Sequence, residues 1–189
     1  MEDSKDALKQ ALKELTKSKP YKKITVSDIC TRAKVSRRTF YKHFENIDEM
    51  VDQIIDDDII VPSCSVRELL PVDETESLRP IMMEMTTKTL HENREFYRAV
   101  MHYKGHYSLL KTFLDHVRPF NEKVYEGYLG DTEENDFVSY LYAWYPFIML
   151  LWWTEYEGTT DPKTMTQYIN RWAFASWDVL KNQLDEQNG

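Results

Sequence analysis

Glycine is scarce in this chain of 189 residues, with only Gly105, Gly127, Gly130, Gly158 and Gly189. Phosphate-cradling loops and tight β-turns need the left-handed backbone and close approach that glycine supplies, so folds built on either are excluded. Cysteine is nearly as rare. Cys30 and Cys64 cannot build a disulfide framework, and Cys30 has no second Cys or His near it at metal-ligand spacing, so a buried core thiol is expected there. The first residues are Glu2, Asp3 and Ser4 instead of a basic and then apolar leader, which fits a cytoplasmic protein.

Catalytic signatures are missing as well. There is no Gly-x-Ser-x-Gly elbow, phosphate loop or Cys-x-x-Cys pair. Of His91, His102, His106 and His116, only His102 and His106 are spaced to share a helix face, and Gly105 interrupts that turn with no Glu between them. Neither an enzyme nor a metal or other cofactor is expected. Three consecutive aspartates, Asp56 to Asp58, diverge on a helix and cannot converge on one ion. The apolar run Phe137 to Trp153 contains Ser139 and Pro146, has acidic flanks and falls short of the about twenty residues of a membrane span, so no membrane association is expected.

What the chain does have is apolar bulk. Hydrophobic residues make up 42%, with 5 Trp, 12 Tyr and 8 Phe, enough to bury a real core and to exclude disorder. The low glycine content favours an all-α fold. The net charge of −8 conceals a division: residues 1–50 hold 12 of the 24 Lys and Arg and 8 of the 32 acids, a balance of +4, leaving −12 for the rest. Local positive charge, not the total, decides phosphate binding, so a sequence pI near 5.2 is compatible with DNA.

Ala7, Leu8, Ala11, Leu12 and Leu15 repeat at helical spacing, with Asp3 or Ser4 as N-cap, and predict a helix over residues 3–18 that ends before Pro20. Lys5, Lys9, Lys13 and Lys17 form a stripe on its other side, either a solvated face or a phosphate-facing one. Thr25 with Asp28 is a capping-box pattern opening a second helix to Ala33, with Val26, Ile29, Cys30 and Ala33 on one face. Two residues later Ser36 can cap a third helix that turns Phe40 and Phe44 inward and leaves Arg37, Arg38, Thr39, Tyr41, Lys42 and His43 outward. A helix, a tight turn and a second helix with one uniformly cationic, hydrogen-bonding face suit the major groove.

The run from Ile24 to Phe44, ending Thr39-Phe40-Tyr41-Lys42-His43-Phe44, resembles the signature of the TetR/AcrR transcriptional regulators. The likeness covers about the first 55 residues. It implies a three-helix DNA-binding head, with Thr39, Tyr41 and His43 at positions that touch DNA in the family and Arg37 and Arg38 where members vary in sequence preference. The candidate DNA-binding residues are Thr25, Ser36, Arg37, Arg38, Thr39, Tyr41, Lys42 and His43. Two places depart from the pattern: Lys34 stands where the turn often has Gly, and Ile47 where the fourth helix often has a phosphate-reaching Lys.

That fourth helix starts at Asn46, with Glu49 as its capping partner, and runs through Met50, Val51, Ile54 and Ile55 to link head and body. A connector containing Pro71 follows, and then helices over 77–91, 94–104, 106–128 with a break or kink at Pro119, 132–157 and 162–185, the last opened by Asp161 and Pro162. Met82, Met85, Phe96, Tyr97, Met101, Tyr103 and Phe113 could line an adaptable ligand cavity or simply pack a core. The helix after Thr132 is apolar on both faces, which leaves one for another chain or a ligand. Trp144, Ile148 and Trp152, with Met165, Ile169, Trp172, Ser176 and Val179 of the last helix, are the candidate dimer interface, an arrangement the resemblance also implies.

The expected organisation is a helix-turn-helix DNA-binding domain at 1–48, a connecting helix at 49–60 and a helical ligand-binding and dimerisation bundle at 61–189. The expected function is a ligand-responsive transcriptional repressor, homodimeric on a palindromic double-stranded DNA operator, with an effector of unknown identity. The competing expectation is a helical co-regulator whose head docks a protein partner.

Overall fold

The computed structural model describes residues 4–62, 81, 84–104, 106–155, 160–169 and 171, and every regular element among them is helical. Helix α1 spans Ser4–Thr16, α2 Val26–Ala33, α3 Arg37–His43 and α4 Ile47–Ile55, with a 3-10 turn at Tyr21–Lys23. The end of α4 continues as a wide π turn over Asp56–Ile60, in which the Val61 N–H bonds the Asp56 carbonyl five residues back. A helix over 84–92 (α5) follows, then α6 at Arg94–Lys104, α7 at His106–Leu129, α8 at Glu133–Glu155 and α9 at Pro162–Tyr168. Of the break or kink expected at Pro119, the break does not occur: α7 runs through it as one helix.

Local chemistry sets the boundaries of the first four helices. Thr25 and Asp28 form a reciprocal capping box: the Asp28 N–H donates to Thr25 Oγ1 and the Asp28 carboxylate accepts from the Thr25 N–H. Ser36 accepts from the Thr39 N–H at 3.1 Å, and Asn46 from the Glu49 N–H at 2.9 Å. Lys34 closes α2 in the left-handed region at φ 56°; its N–H bonds Thr31, and the Val35 N–H bonds Cys30. Those two bonds satisfy carbonyls that the helix end would otherwise leave orphaned.

One continuous cluster of buried apolar side chains joins the two halves of the chain. It runs from Leu8 and Leu12 of α1 through Ile29, Phe40, Phe44, Met50 and Ile54 to Phe96, Tyr97, Phe147, Leu150 and Trp153. Helices α7 and α8 pack along each other as a hairpin turned at Gly130, φ 68°. Buried amides fasten it, with Asn121 Nδ2 donating to the Ser139 carbonyl and Asn135 Nδ2 to the Glu122 carbonyl.

The burial pattern corrects part of the expected dimer interface. Met165 and Ile169 are 1% and 7% exposed within a single chain, packed in that same cluster, so they present nothing to a partner. Trp172, Ser176 and Val179 lie outside the described residues.

Replacing Lys34 by Gly is expected to stabilise the fold by roughly 1 kcal/mol, since a left-handed conformation costs an L-residue about 1–2 kcal/mol and the looser unfolded chain offsets part of that. Lys34→Val should destabilise it. Urea midpoints at unchanged slope are the check, and identical midpoints for Lys34→Gly and the parent would mean that the turn carries no strain.

Candidate nucleic-acid interface

Helix α3 has two faces with different tasks. Phe40 and Phe44 are fully buried and hold it against α1 and α2. Arg37, Arg38, Tyr41 and Lys42 stand exposed on the other side. Ser36 caps the helix and also bonds the Thr39 hydroxyl at 2.9 Å, so Thr39 is half-buried and oriented from behind. Thr25 spends its hydroxyl on Asp28, at 2.7 Å. These two hydroxyls act first as the caps that fix where α2 and α3 begin.

His43 differs from the expectation. Its Nε2 lies 2.8 Å from the Ser4 hydroxyl, which ties the end of α3 to the start of α1 and leaves the ring half-buried. It is a strut between two helices rather than a freely outward side chain. A bond between residues 39 apart leaves no trace in local spacing.

The structure adds a cation that the spacing did not single out. A cleft of about 310 Å³ opens between the Tyr21–Lys23 turn, the end of α3 and the start of α4, and Lys22, Tyr41 and Ile47 all line it. Lys22 is exposed and lines this cleft together with Ile47, Glu45 and Asp48. Tyr103 of α6 reaches the same cleft and stacks on Tyr21 with ring centroids 4.8 Å apart. Burial, then the nearby Asp48, pushes the Tyr21 phenol well above its usual range, so it stays protonated.

The lysine stripe of α1 is divided. Lys9 pairs with Asp57 and Lys13 with Asp58, so these two lysines face the π turn of the connector. Two of the three aspartates, Asp57 and Asp58, thus meet lysines, and among the described residues no three His, Cys, Asp or Glu gather as a metal site. No described helix is long and apolar enough to cross a membrane.

The proposed cavity set comes apart. Phe96, Tyr97 and Met101 are buried in the core, but Met85 and Tyr103 are more than half exposed, so those two line no internal cavity of the body. Met82 and the Phe113 side chain lie outside the described residues. On α8 burial divides the apolar residues, although Tyr140, spaced to share a face with Ala143 and Phe147, is 40% exposed. Ala143, Phe147 and Leu150 are buried, whereas Phe137 is 64% and Ile148 52% exposed, with Leu141 open between them and Trp144 and Trp152 half-buried.

A capped turn presenting a short cationic helix from a three-helix head defines a helix-turn-helix DNA-binding protein. Residues 4–54 match the model for bacterial regulatory proteins of the tetR family, and residues 80–174, half of the chain, match that for a transcriptional regulator C-terminal region. The chain belongs to the TetR family of transcriptional regulators, a family of regulators and not of enzymes.

The chain is 23% identical over 176 residues to the HTH-type transcriptional regulator YxbF of Bacillus subtilis, covering 89% of this chain and 44% of that one. It is 43% identical over 49 residues, 26% of each chain, to DhaS of Lactococcus lactis, the HTH-type dhaKLM operon transcriptional activator. It thus spans less than half the length of these curated relatives. The solved structure of the dihydroxyacetone kinase operon activator DhaS shares the fold at a TM-score of 0.65 and 22% identity, over 89% of this chain and 93% of that one.

Acid should loosen the turn that aims α3. The hydrogen bond from Lys19, then those from Thr25, hold the Asp28 carboxyl at about 2 against an ordinary 3.8. A depressed folded value means that this stabilisation is complete above about pH 4 and is lost as the pH falls toward 2. Asp28→Asn should flatten that part of the acid dependence in melts recorded between about pH 5 and 2. Parallel curves for the two proteins would clear Asp28 of any such part.

Proposed function

We propose that this TetR-family chain is a sequence-specific regulator that binds a palindromic operator as a homodimer and answers to a small effector. In this reading residues 1–48 form the DNA-reading domain, 49–60 the connecting helix and 61–189 the effector-binding and dimerisation body, acting in the cytoplasm. The observation that carries it is the exposed face of α3, where Arg37, Arg38, Tyr41 and Lys42 stand free of acid on a helix that is capped and buried behind.

Arg37 and Arg38 read base edges, because guanidinium groups at the start of a groove-bound helix can bond guanine bidentately. Tyr41 and Lys42 take phosphates, and Lys22, on the same rim, supplies a cation next to Ile47. Thr25, Ser36, Thr39 and His43 serve the interface by holding its backbone and first turn in place. Two heads on a two-fold axis meet half-sites about 34–36 Å apart, or a multiple of that.

The homodimer reading rests on α8. Phe137, Leu141 and Ile148 are exposed along one side of α8, beside Trp144 and Trp152, which are half-buried against the chain's own core. A second copy of the same stripe, related by a two-fold axis, covers it isologously. Occupying a promoter blocks transcription by default, so repression is the working sign, although the relatives named DhaS are named as activators. The effector is assigned to the body.

Two experiments test this reading. A gel shift at low salt, followed by footprinting, should give protection with defined edges on a duplex enriched from random sequence. Arg37→Ala or Arg38→Ala should then cost about 1–3 kcal/mol on that duplex and little on random DNA. Lys22→Ala and Lys42→Ala should weaken both alike, each lowering the salt slope by about one. No shift with any duplex would overturn DNA reading and leave protein docking as the use of the head.

For the dimer, Ile148→Glu puts a charge on an already exposed position, so the monomer fold is spared while the seam gains an unpaired carboxylate. Light scattering at micromolar concentration should show a monomer with weakened operator binding. A dimer of parent mass would move the interface away from α8.

A further inference from the structure

A single carboxylate oxygen joins three separate elements. Asp58 Oδ2, in the π turn that ends α4, accepts from Lys13 Nζ of α1 at 2.6 Å and from the Tyr97 hydroxyl of α6 at 2.8 Å. Lys9, one helical turn before Lys13, pairs with the adjacent Asp57. Asp58 and Lys13 are both mostly screened from solvent, and Tyr97 is buried completely, so its hydroxyl has no water to turn to when Asp58 moves away. The apolar neighbours are Leu12 on α1, Ile59 and Ile60 in the turn and Phe96 on α6, all in one cluster. An anion in such surroundings needs both donors.

The backbone is unusual at the same place. A π turn carries one residue more than an α-turn, has poorer hydrogen bonds and concentrates at functional positions. Here it stands where the helix leaving the DNA-reading head meets the body. At the other end of α6, Tyr103 stacks on Tyr21 of the head. Helix α6 is therefore fastened to the head at two points six residues apart, about 9 Å along its axis. One fastening is a tilted ring pair that can slide. The other is a directional hydrogen bond that is either made or broken.

We propose that Asp58 is a positioning residue for DNA reading: the Lys13–Asp58–Tyr97 node sets the angle of the head on the body, and the Tyr97 hydroxyl is the part of it that the body controls. The proposal rests on the reading of the chain as a dimeric, effector-answering DNA regulator. Phe96, Val100 and Met101 lie on the same helix as Tyr97 and are packed into the body core. A change in that packing shifts α6, and a shift of about 1 Å carries a hydroxyl at 2.8 Å beyond hydrogen-bond range. Asp58 then keeps Lys13 alone, and the head relaxes to the position set by α1 and the apolar contacts. The node supplies two discrete arrangements of one interface, which a packed core needs in order to switch instead of deforming gradually.

The same contacts fix what Lys9 and Lys13 do. Both ammonium groups are committed to the connector, so they set geometry rather than neutralise phosphates.

The test uses the full-length chain with a duplex selected by the parent from a random pool, the same duplex with one base pair inserted between its half-sites, and a random duplex. Tyr97→Phe removes only the hydroxyl. It should bind the selected duplex at least about fivefold more weakly, bind random DNA unchanged, and lose most of the parent's discrimination against the altered spacing. A merely structural loss lowers all three affinities together and leaves spacing discrimination intact, and that result overturns the proposal. So does parent-like binding by Tyr97→Phe. Lys13→Met should reproduce the effect without lowering the salt slope, and the double variant should be no worse than the weaker-binding single one. If Lys13→Met fails to fold, Tyr97→Phe and the spacing series decide alone.

If the parent selects no duplex, the DNA-regulator reading falls. Hydrogen exchange then reads the node directly: Tyr97→Phe should speed exchange at residues 57–60 and in α1 while leaving α8 unchanged, and equal exchange in both proteins overturns the node.

Discussion

A seven-residue helix has no stability of its own in water, since nucleation costs more than so few hydrogen bonds return. Helix α3 therefore exists only because Phe40 and Phe44 are buried beneath it, Ser36 caps its first turn and Lys34 accepts a left-handed conformation to deliver the chain at the right angle. The rest of the head serves those conditions. Helices α1 and α2 provide the cavity for the two phenylalanines, the Thr25–Asp28 box starts α2 in register, and His43 braces the far end of α3 against Ser4. The exposed face can be purely cationic because the opposite face alone supplies the binding energy of the helix to its own protein.

That dependence does not stop at the head. The cluster beneath α3 continues without interruption through Ile54 and Ile55 into Phe96, Tyr97 and Trp153. Close-packed interiors transmit displacement instead of absorbing it, so the position of α3 is set in part by helices that never approach DNA. The polar contacts across this boundary include those of Lys9 and Lys13 with the aspartates of the π turn and of Tyr97 with Asp58. Apolar packing is continuous across the junction, and these directional bonds are added to it at the π turn.

The legible parts of the fold are those that local chemistry encodes. Capping residues, apolar periodicity and proline place the boundaries of α2, α3 and α4 and the start of α9 within a residue or two, and Arg94–Lys104 agrees with its expected span, because caps and helix faces involve partners only three or four residues away. The lysine stripe was visible, but its partners lie 45 and 48 residues on, and no periodicity links Lys13 to Asp58. The stripe of Met165 and Ile169 failed in a different way. Periodicity identifies an apolar face without saying what covers it, and here the cover is the chain's own core. The α8 stripe was equally ambiguous in the sequence, and only the burial of Ala143, Phe147 and Leu150 on the far side shows which face is left over. In the candidate site the cations of α3 were legible, whereas Lys22 was not, because its place beside Tyr41 depends on how a three-residue turn folds back.

The charge division acquires a sharper meaning once these contacts are known. The head's surplus of +4 counts Lys9 and Lys13, yet their charges are matched by Asp57 and Asp58 just past the head's end. Lys19 and Arg32 pair with Asp28 and Glu14 in the same way, and the exposed cations left over include Lys17, Lys22, Lys23, Lys34, Arg37, Arg38 and Lys42. The acid surplus of the body is concentrated in residues 51–80 and 124–161, whereas residues 81–123 carry slightly more base than acid, so a polyanion is repelled by two stretches of the body and not by all of it. The exposed cations of α3 and of the turn before it thus give an approaching polyanion a local attraction that the net charge of −8 conceals.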